Sequence, residues 1–192
     1  MTLPPRKRNA NATQEAILVA ARRVFTDNGY DGAGLREIAG VAGVNVALIN
    51  RYFGSKDGLF KAAIIEHLHL EEIFDGDMNT LGQRIADYFL AHPVKKEGYD
   101  PTLAILRSTS SEHSVRVISE ALEATFNDVL ASRFPDIDPK MRRAKTGLLV
   151  SVMLGYDMMR RVFKISALGE DTSTEVRSLL AQNIQSIVDA KI

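Results

Sequence analysis

LREIAGVAGVNVALINRYFGSKDGLF, residues 35–60, decides the fold. Leu35, Ile38, Ala39 and Ala42 mark a short helix, and Gly43 ends it. Asn45 is a candidate cap for a second helix, Val46–Phe53, in which Ile49 and Phe53 lie four apart on one face. Ala39 is small, so the second helix can cross close to the first. Gly43, four residues on, can take the left-handed conformation that a sharp turn needs. Val44 and Ile49 can seal the angle between the helices. The second helix then presents its outer face, as a helix must to enter a major groove.

Outward from this pair the pattern stays helical. Ile17, Leu18, Ala21, Val24 and Phe25 form an amphipathic stripe, with Thr13 as a candidate cap and Asn28-Gly29 as a stop. Ser55 is placed to cap a fourth helix carrying Leu59, Phe60, Ala63, Ile64 and Leu68 and running to Phe74. Later stripes are Leu81–Phe89, Val115–Val129, and a long segment opened by the cap and first-turn proline Asp138-Pro139. The last stripe runs from Val176 to Val188, with Thr172 or Ser173 as its cap. Pro93, Pro101 and Pro135 fall between stripes, and no alternating run is long enough for a strand. The expectation is an all-α chain.

Composition narrows the function classes. The 192 residues contain no cysteine, which excludes a disulfide framework, a thiolate metal site and a cysteine nucleophile. Lys+Arg equals Asp+Glu at 24 each, and a net charge of zero argues at first against nucleic acid. The distribution says otherwise. Residues 1–60 hold eight basic and five acidic side chains, a net +3, so the remainder carries −3. Seven of the thirteen glycines fall between Gly29 and Gly58. The pattern is that of a small basic head of tight turns on a larger acidic body. No apolar stretch reaches the ~20 residues of a membrane span, and Arg6-Lys7-Arg8 is not followed by a signal-like apolar run. The expected location is the cytoplasm.

Residues 13–68, in particular QEAILVAARRVFTDNGYDGAGLREIAGVAGVNVALINRYFGSKDGLFKAAI, resemble the tetracycline-repressor (TetR/AcrR) family of transcriptional regulators, most densely in AGVNVALINRYFGSKDGLF. The resemblance covers about the first third of the chain. It implies a helix-turn-helix DNA-binding head in residues 1–54, with the motif at about 34–53, and a helical ligand-binding and dimerisation body in 55–192. Arg36 matches a position that often reaches DNA. Asn45, Val46, Ala47, Asn50 and Arg51 match the exposed positions of the recognition helix, while Tyr52 and Lys56 match residues that hold phosphates. Chemistry agrees for several: Arg51 can read guanine and Asn50 adenine, and Lys56 stands at a helix N-terminus, where phosphate is favoured. Three positions depart from the family pattern. Gly34 stands where Ser or Thr is usual, Asn50 replaces a common aromatic, and Val46 a common polar or basic residue.

For the body, the resemblance implies a homodimer through the last two long helices, about 139–165 and 174–190. Such a dimer would bind double-stranded DNA at a palindromic operator and respond to a small-molecule effector. Candidate effector-lining residues are Phe89, Leu103, Leu106, Arg107, Phe126, Met153 and Tyr156, each of which plain core would also explain. Arg107 suits an anion, or a structural ion pair. Lys140, Arg142, Arg143 and Lys145 look like another anion site, but such a run is usually a solvated helix face. His67 and Glu71 lie four apart, but His69 points elsewhere, so no three-ligand metal set forms locally. Ser110, Ser111, Glu112 and His113 make no triad, because adjacent residues on a helix diverge. Neither catalytic residues nor a cofactor are expected. The basic run Arg6-Lys7-Arg8 reads equally as a DNA-contacting arm or a solvated tail. The alternative is a helical ligand-binding or enzymatic protein whose head no longer binds DNA.

Overall fold

The computed structural model describes residues 6–68, 70–91, 99–133, 135, 137–169 and 172–190. Every secondary-structure element among them is helical, as the stripes predict. Ten helices follow in chain order: α1 Arg6–Gly32, α2 Leu35–Ala42, α3 Val46–Phe53, α4 Lys56–Phe60, α5 Leu70–Phe74, α6 Leu81–Ala91, α7 Pro101–Arg107, α8 Glu112–Arg133, α9 Pro139–Asp157 and α10 Ser173–Asp189. They form two compact units. The first comprises residues 1–68 and 97–121, the second 69–96 and 122–192.

In the first unit, α1 buries Ile17, Ala21, Val24 and Phe25, the face its stripe foretells. It starts at Arg6 rather than behind a Thr13 cap, because nothing between those positions breaks a helix. The side chains of Arg6, Lys7 and Arg8 lie outside the described residues. The helix is interrupted at Gly29, where φ is 66° and ψ −176°, a region open essentially to glycine alone. There the backbone meets α7: a Cβ on Gly29 would sit far inside van der Waals contact of the Arg107 carbonyl.

The helix expected from Ser55 to Phe74 is not uniform. Ser55 does cap α4, its hydroxyl accepting the Gly58 N–H at 3.1 Å. After Phe60 the chain widens into a π-type turn, Lys61–Ile65, and then tightens into a 3-10 turn, Glu66–Leu68. A widened turn offers a carbonyl to outside donors. Here Arg22 Nε (3.4 Å) and the Tyr99 hydroxyl (3.5 Å) both reach Ala63 O.

In the second unit, α6 and α10 pack closely, and Gly82 lies directly against the Ala181 carbonyl. Gln185 locks the pair, accepting the Gly82 N–H at 2.9 Å and donating to Met78 O at 3.1 Å. Asp138 caps α9 as expected, accepting from the Lys140 and Met141 N–H groups. Lys145 is not part of a solvated face. It is buried, and its ammonium donates to Val188 O. Thr172 stands before α10 without capping it, since its hydroxyl donates to Ala167 O at 2.7 Å.

Candidate nucleic-acid interface

The turn between α2 and α3 forms as its sequence demands. Gly43 adopts φ 67°, ψ 32°, and the following N–H of Val44 closes on Ala39 O at 2.9 Å. The Asn45 side chain then accepts the Ala47 N–H at 2.9 Å and starts α3. Ile38, Ala39 and Ile49 are buried where the two helices meet. With Ile49 turned inward, the opposite side of α3 is left to solvent.

The expected DNA-contact residues are arranged accordingly. Arg36, Asn45, Ala47, Asn50 and Arg51 are exposed, whereas Val46, Tyr52 and Lys56 are half-buried. Gly34 leaves α2 without a side-chain cap, the consequence of the missing hydroxyl. On the same helix, Glu37 accepts from Asn28 Nδ2 at 3.2 Å, so a neutral amide holds the acid beside Arg36.

Lys56 has a local setting that its sequence neighbours do not reveal. Its ammonium lies 4.6 Å from the centroid of the Tyr30 ring, a cation–π distance. Partial desolvation lowers the Lys56 pKa, against the opposing pull of Asp31 and Asp57. Tyr30 is itself buried at 4% exposure, with the Phe60 ring edge-on at 5.4 Å and Phe25 stacked at 6.4 Å. Its hydroxyl donates to Asp57 and lies 3.1 Å from His113 Nε2. Burial first, and the Asp57 carboxylate second, push the Tyr30 pKa well above the ordinary 10.0. His113 Nδ1 faces the Arg116 guanidinium at 3.2 Å. An arginine can only donate, so Nδ1 accepts and the proton of the neutral ring is on Nε2.

Segment 99–116 fastens the end of α1 at several further points. Arg107 donates to Thr26 O (2.7 Å) and Asp27 O (3.0 Å). Ser108 Oγ accepts the Tyr30 N–H at 2.7 Å. Asp31 takes hydrogen bonds from Ser110 (2.6 Å), Ser111 (3.0 Å) and Ser114 (3.0 Å). These hydroxyls, the Ser110 bond foremost, lower the Asp31 pKa. The Ser110–His113 run is thus a fastening for the head. Tyr30, Asp31, Asp57, Ser108 and Ser114 escaped the sequence reading. Their only sequence signal is a cluster of serines with no catalytic partner.

The candidate effector residues divide between the two units. Leu103, Leu106 and Arg107 lie on α7 in the first, where Arg107 binds carbonyls rather than a carboxylate. Phe89, Phe126, Met153 and Tyr156 lie in the second. Within it Phe89 and Tyr156 meet edge to face at 5.6 Å, Phe126 meets Phe74 at 6.2 Å, and Met153 is buried. Among the described residues the buried Tyr156 hydroxyl has no hydrogen-bond partner, and burial raises its pKa. Among the described residues no group of three or more His, Asp or Glu is placed to hold a metal, and no helix is long and apolar enough to cross a membrane. The His67 ring lies 5.2 Å from that of Tyr99; His69 and the side chain of Glu71 are outside the described residues.

Comparison with known proteins matches both parts of the chain. Residues 17–63 match the family model described as bacterial regulatory proteins, tetR family. Residues 79–188 match that of the tetracyclin repressor-like C-terminal domain. The chain is 35% identical over 144 residues to the HTH-type transcriptional regulatory protein RaaS of Mycobacterium tuberculosis, a stretch covering 70% of this chain and 66% of RaaS. It is 31% identical over 100 residues to the HTH-type transcriptional repressor NicS of Pseudomonas putida, covering 46% and 47%. The chain thus spans just under two thirds and about half the length of these relatives. A solved TetR-family regulator from Streptomyces coelicolor superposes with TM-score 0.63 at 26% identity, covering 97% of this chain and all of that one.

Proposed function

This chain belongs to the tetR family of bacterial regulatory proteins, a family of DNA-binding transcriptional regulators, and from that premise we propose that it is a homodimeric repressor released from a palindromic operator by a small molecule. In this reading residues 1–54 carry the DNA contacts, and 55–192 carry the dimer and effector functions, in the cytoplasm. The observation that carries it is the outer face of α3. Asn45, Ala47, Asn50 and Arg51 are exposed there, on a short helix anchored by a cap and by the buried Ile49. Arg51 reads a guanine and Asn50 an adenine, while Arg36, Tyr52 and Lys56 meet phosphates.

The dimer is supported by apolar surface on the last two long helices. Leu148 (55% exposed), Val152 and Gly155 follow one another at helical spacing on α9, Met159 lies in the π-type turn Met158–Val162 that continues it and Phe163 just beyond, and among the described residues nothing lies within 4 Å of where a Cβ would stand on Gly147 or Gly155. On α10, Leu179 is 66% exposed. Two copies packed on this surface would set two recognition helices about one DNA turn, ~34–36 Å, or a multiple apart. The effector is taken by the body, where Phe89, Met153 and Tyr156 offer aromatic and apolar surface and one unsatisfied hydroxyl. Phe126 belongs to the same unit, whereas Leu103, Leu106 and Arg107 lie in the other. The effector acts by favouring a dimer whose recognition helices are spaced wrongly for the half-sites.

Selection of bound sequences from random DNA tests the reading. A recovered palindrome, with base preference altered by Arg51→Ala and uniform weakening by Lys56→Ala, is the expected result. Absence of retarded DNA even at low salt would refute it. Effector control is tested on the same complex: a compound that binds at saturation without changing DNA affinity is not the effector.

A further inference from the structure

Lysine carries a compact charge on a flexible four-carbon stem, and immobilising that stem opposes binding. At Lys56 the ammonium lies against the face of the Tyr30 ring, 4.6 Å from its centroid. We infer that Tyr30 is a positioning residue for DNA binding: its ring face holds the Lys56 ammonium at the first turn of α4, ready for a phosphate. The inference rests on the reading of Lys56 as a phosphate contact and adds what makes that contact effective.

Three observations carry it. First, the ring is fixed on all sides. Tyr30 is 4% exposed, Phe25 and Phe60 pack against it, its N–H is held by Ser108 Oγ, and its hydroxyl is held by Asp57 beside His113. Second, the ammonium sits 4.6 Å from the ring centroid while the residue stays partly open to solvent. An ammonium has three N–H donors, and a ring face occupies only one side of it. Third, the two carboxylates nearby are turned to other donors. Asp57 accepts from Tyr30, and Asp31 from three serines. A direct ion pair with either acid would neutralise the lysine that phosphate has to attract. The aromatic face restrains it and leaves its charge available.

The test uses full-length protein and a mixed-sequence duplex, since phosphate contacts do not depend on sequence. Position 30 is replaced by phenylalanine and by mono-, di- and trifluorophenylalanine, which weaken the ring face stepwise with little change of volume. Each is made with Lys56 intact and with Lys56→Ala. Anisotropy over a range of salt gives the affinity and the slope of log K against log salt. Tyr30→Phe keeps the ring but releases Asp57, so it serves as the reference within the fluorinated series and not as a neutral variant. The trifluoro variant is expected to bind about two- to fivefold more weakly than Tyr30→Phe. In the Lys56→Ala background the series should be flat. A flat series with Lys56 intact, or equal trends in both backgrounds, would overturn the inference. Should Lys56→Ala alone leave affinity and slope unchanged, the phosphate reading itself fails. A lost phosphate contact should lower the slope by roughly one.

Discussion

Replacing Gly29 by alanine is a severe single-atom change at the end of α1. Two separate penalties meet there. The φ 66°, ψ −176° conformation lies where an L-residue is strained by about 1–3 kcal/mol. The added Cβ also collides with the Arg107 carbonyl, a backbone atom that cannot rotate away, and overpacking of this kind costs about 1–3 kcal/mol. Together the loss is about 2–6 kcal/mol. Relief would move α7 off α1 and loosen the Arg107 bonds to Thr26 O and Asp27 O. Gly40→Ala is the control. It adds the same atom inside α2, where nothing lies within 4 Å, and should stabilise by about 0.4–1 kcal/mol. Urea unfolding followed by circular dichroism at fixed protein concentration compares the three proteins. If Gly29→Ala unfolds within about 1 kcal/mol of the parent, then neither the strain nor the α1–α7 contact has the weight assigned to it.

Asn45→Ala removes the bond to the Ala47 N–H and should cost about 1 kcal/mol of head stability; loss of DNA affinity beyond that would mark a direct contact by the amide. Leu179→Glu places a charge on a residue already 66% exposed in the protomer. It should leave protomer helicity intact while sedimentation shows monomers and DNA binding collapses; an unchanged dimer would exclude α10 from the interface. The lowered Asp31 pKa means that on acidification the unfolded chain takes up this proton first. The stabilisation is therefore present above the ordinary 3.8 and is lost as pH falls through the folded value. The stability gap between wild type and Asp31→Asn should narrow on acidification below about pH 4, and a gap independent of pH would refute it.

What the sequence disclosed was local. Caps at Asn45, Ser55 and Asp138 and the turn at Gly43 are decided within a few residues, by side chains that bond backbone groups two or three positions away. The buried face of α1 was legible for the same reason, since it is set by periodicity. The start of α1 was not, because its first two turns carry no apolar stripe. Long-range partners were also hidden. Ser108 is 78 residues from Tyr30, and Arg107 is 81 from Thr26. No spacing rule links such positions, so a serine run and a lone arginine could be read only by exclusion. Lys145 was misread because one long amphipathic side chain can end on a buried carbonyl as readily as in water.

The same long-range bonds change the meaning of the head's charge. Counted along the chain, residues 1–60 have a surplus of three positive charges. In the fold, some of those cations are restrained by partners, and among the described residues only the Arg22 contact with Glu15 is an ion pair. Arg22 pairs with Glu15 at 3.0 Å and also reaches Ala63 O, and Lys56 lies over Tyr30. The acids are committed as well: Glu37 to Asn28, Asp31 to three serines, Asp57 to Tyr30. Hydroxyl and amide donors restrain those acids without cancelling a cation. Arg36 and Arg51 are exposed on α2 and α3, while Glu37, Asp31 and Asp57 are held by amide and hydroxyl donors. A neutral chain can bind a polyanion on these terms, because the field at a surface depends on where charges are held more than on their sum.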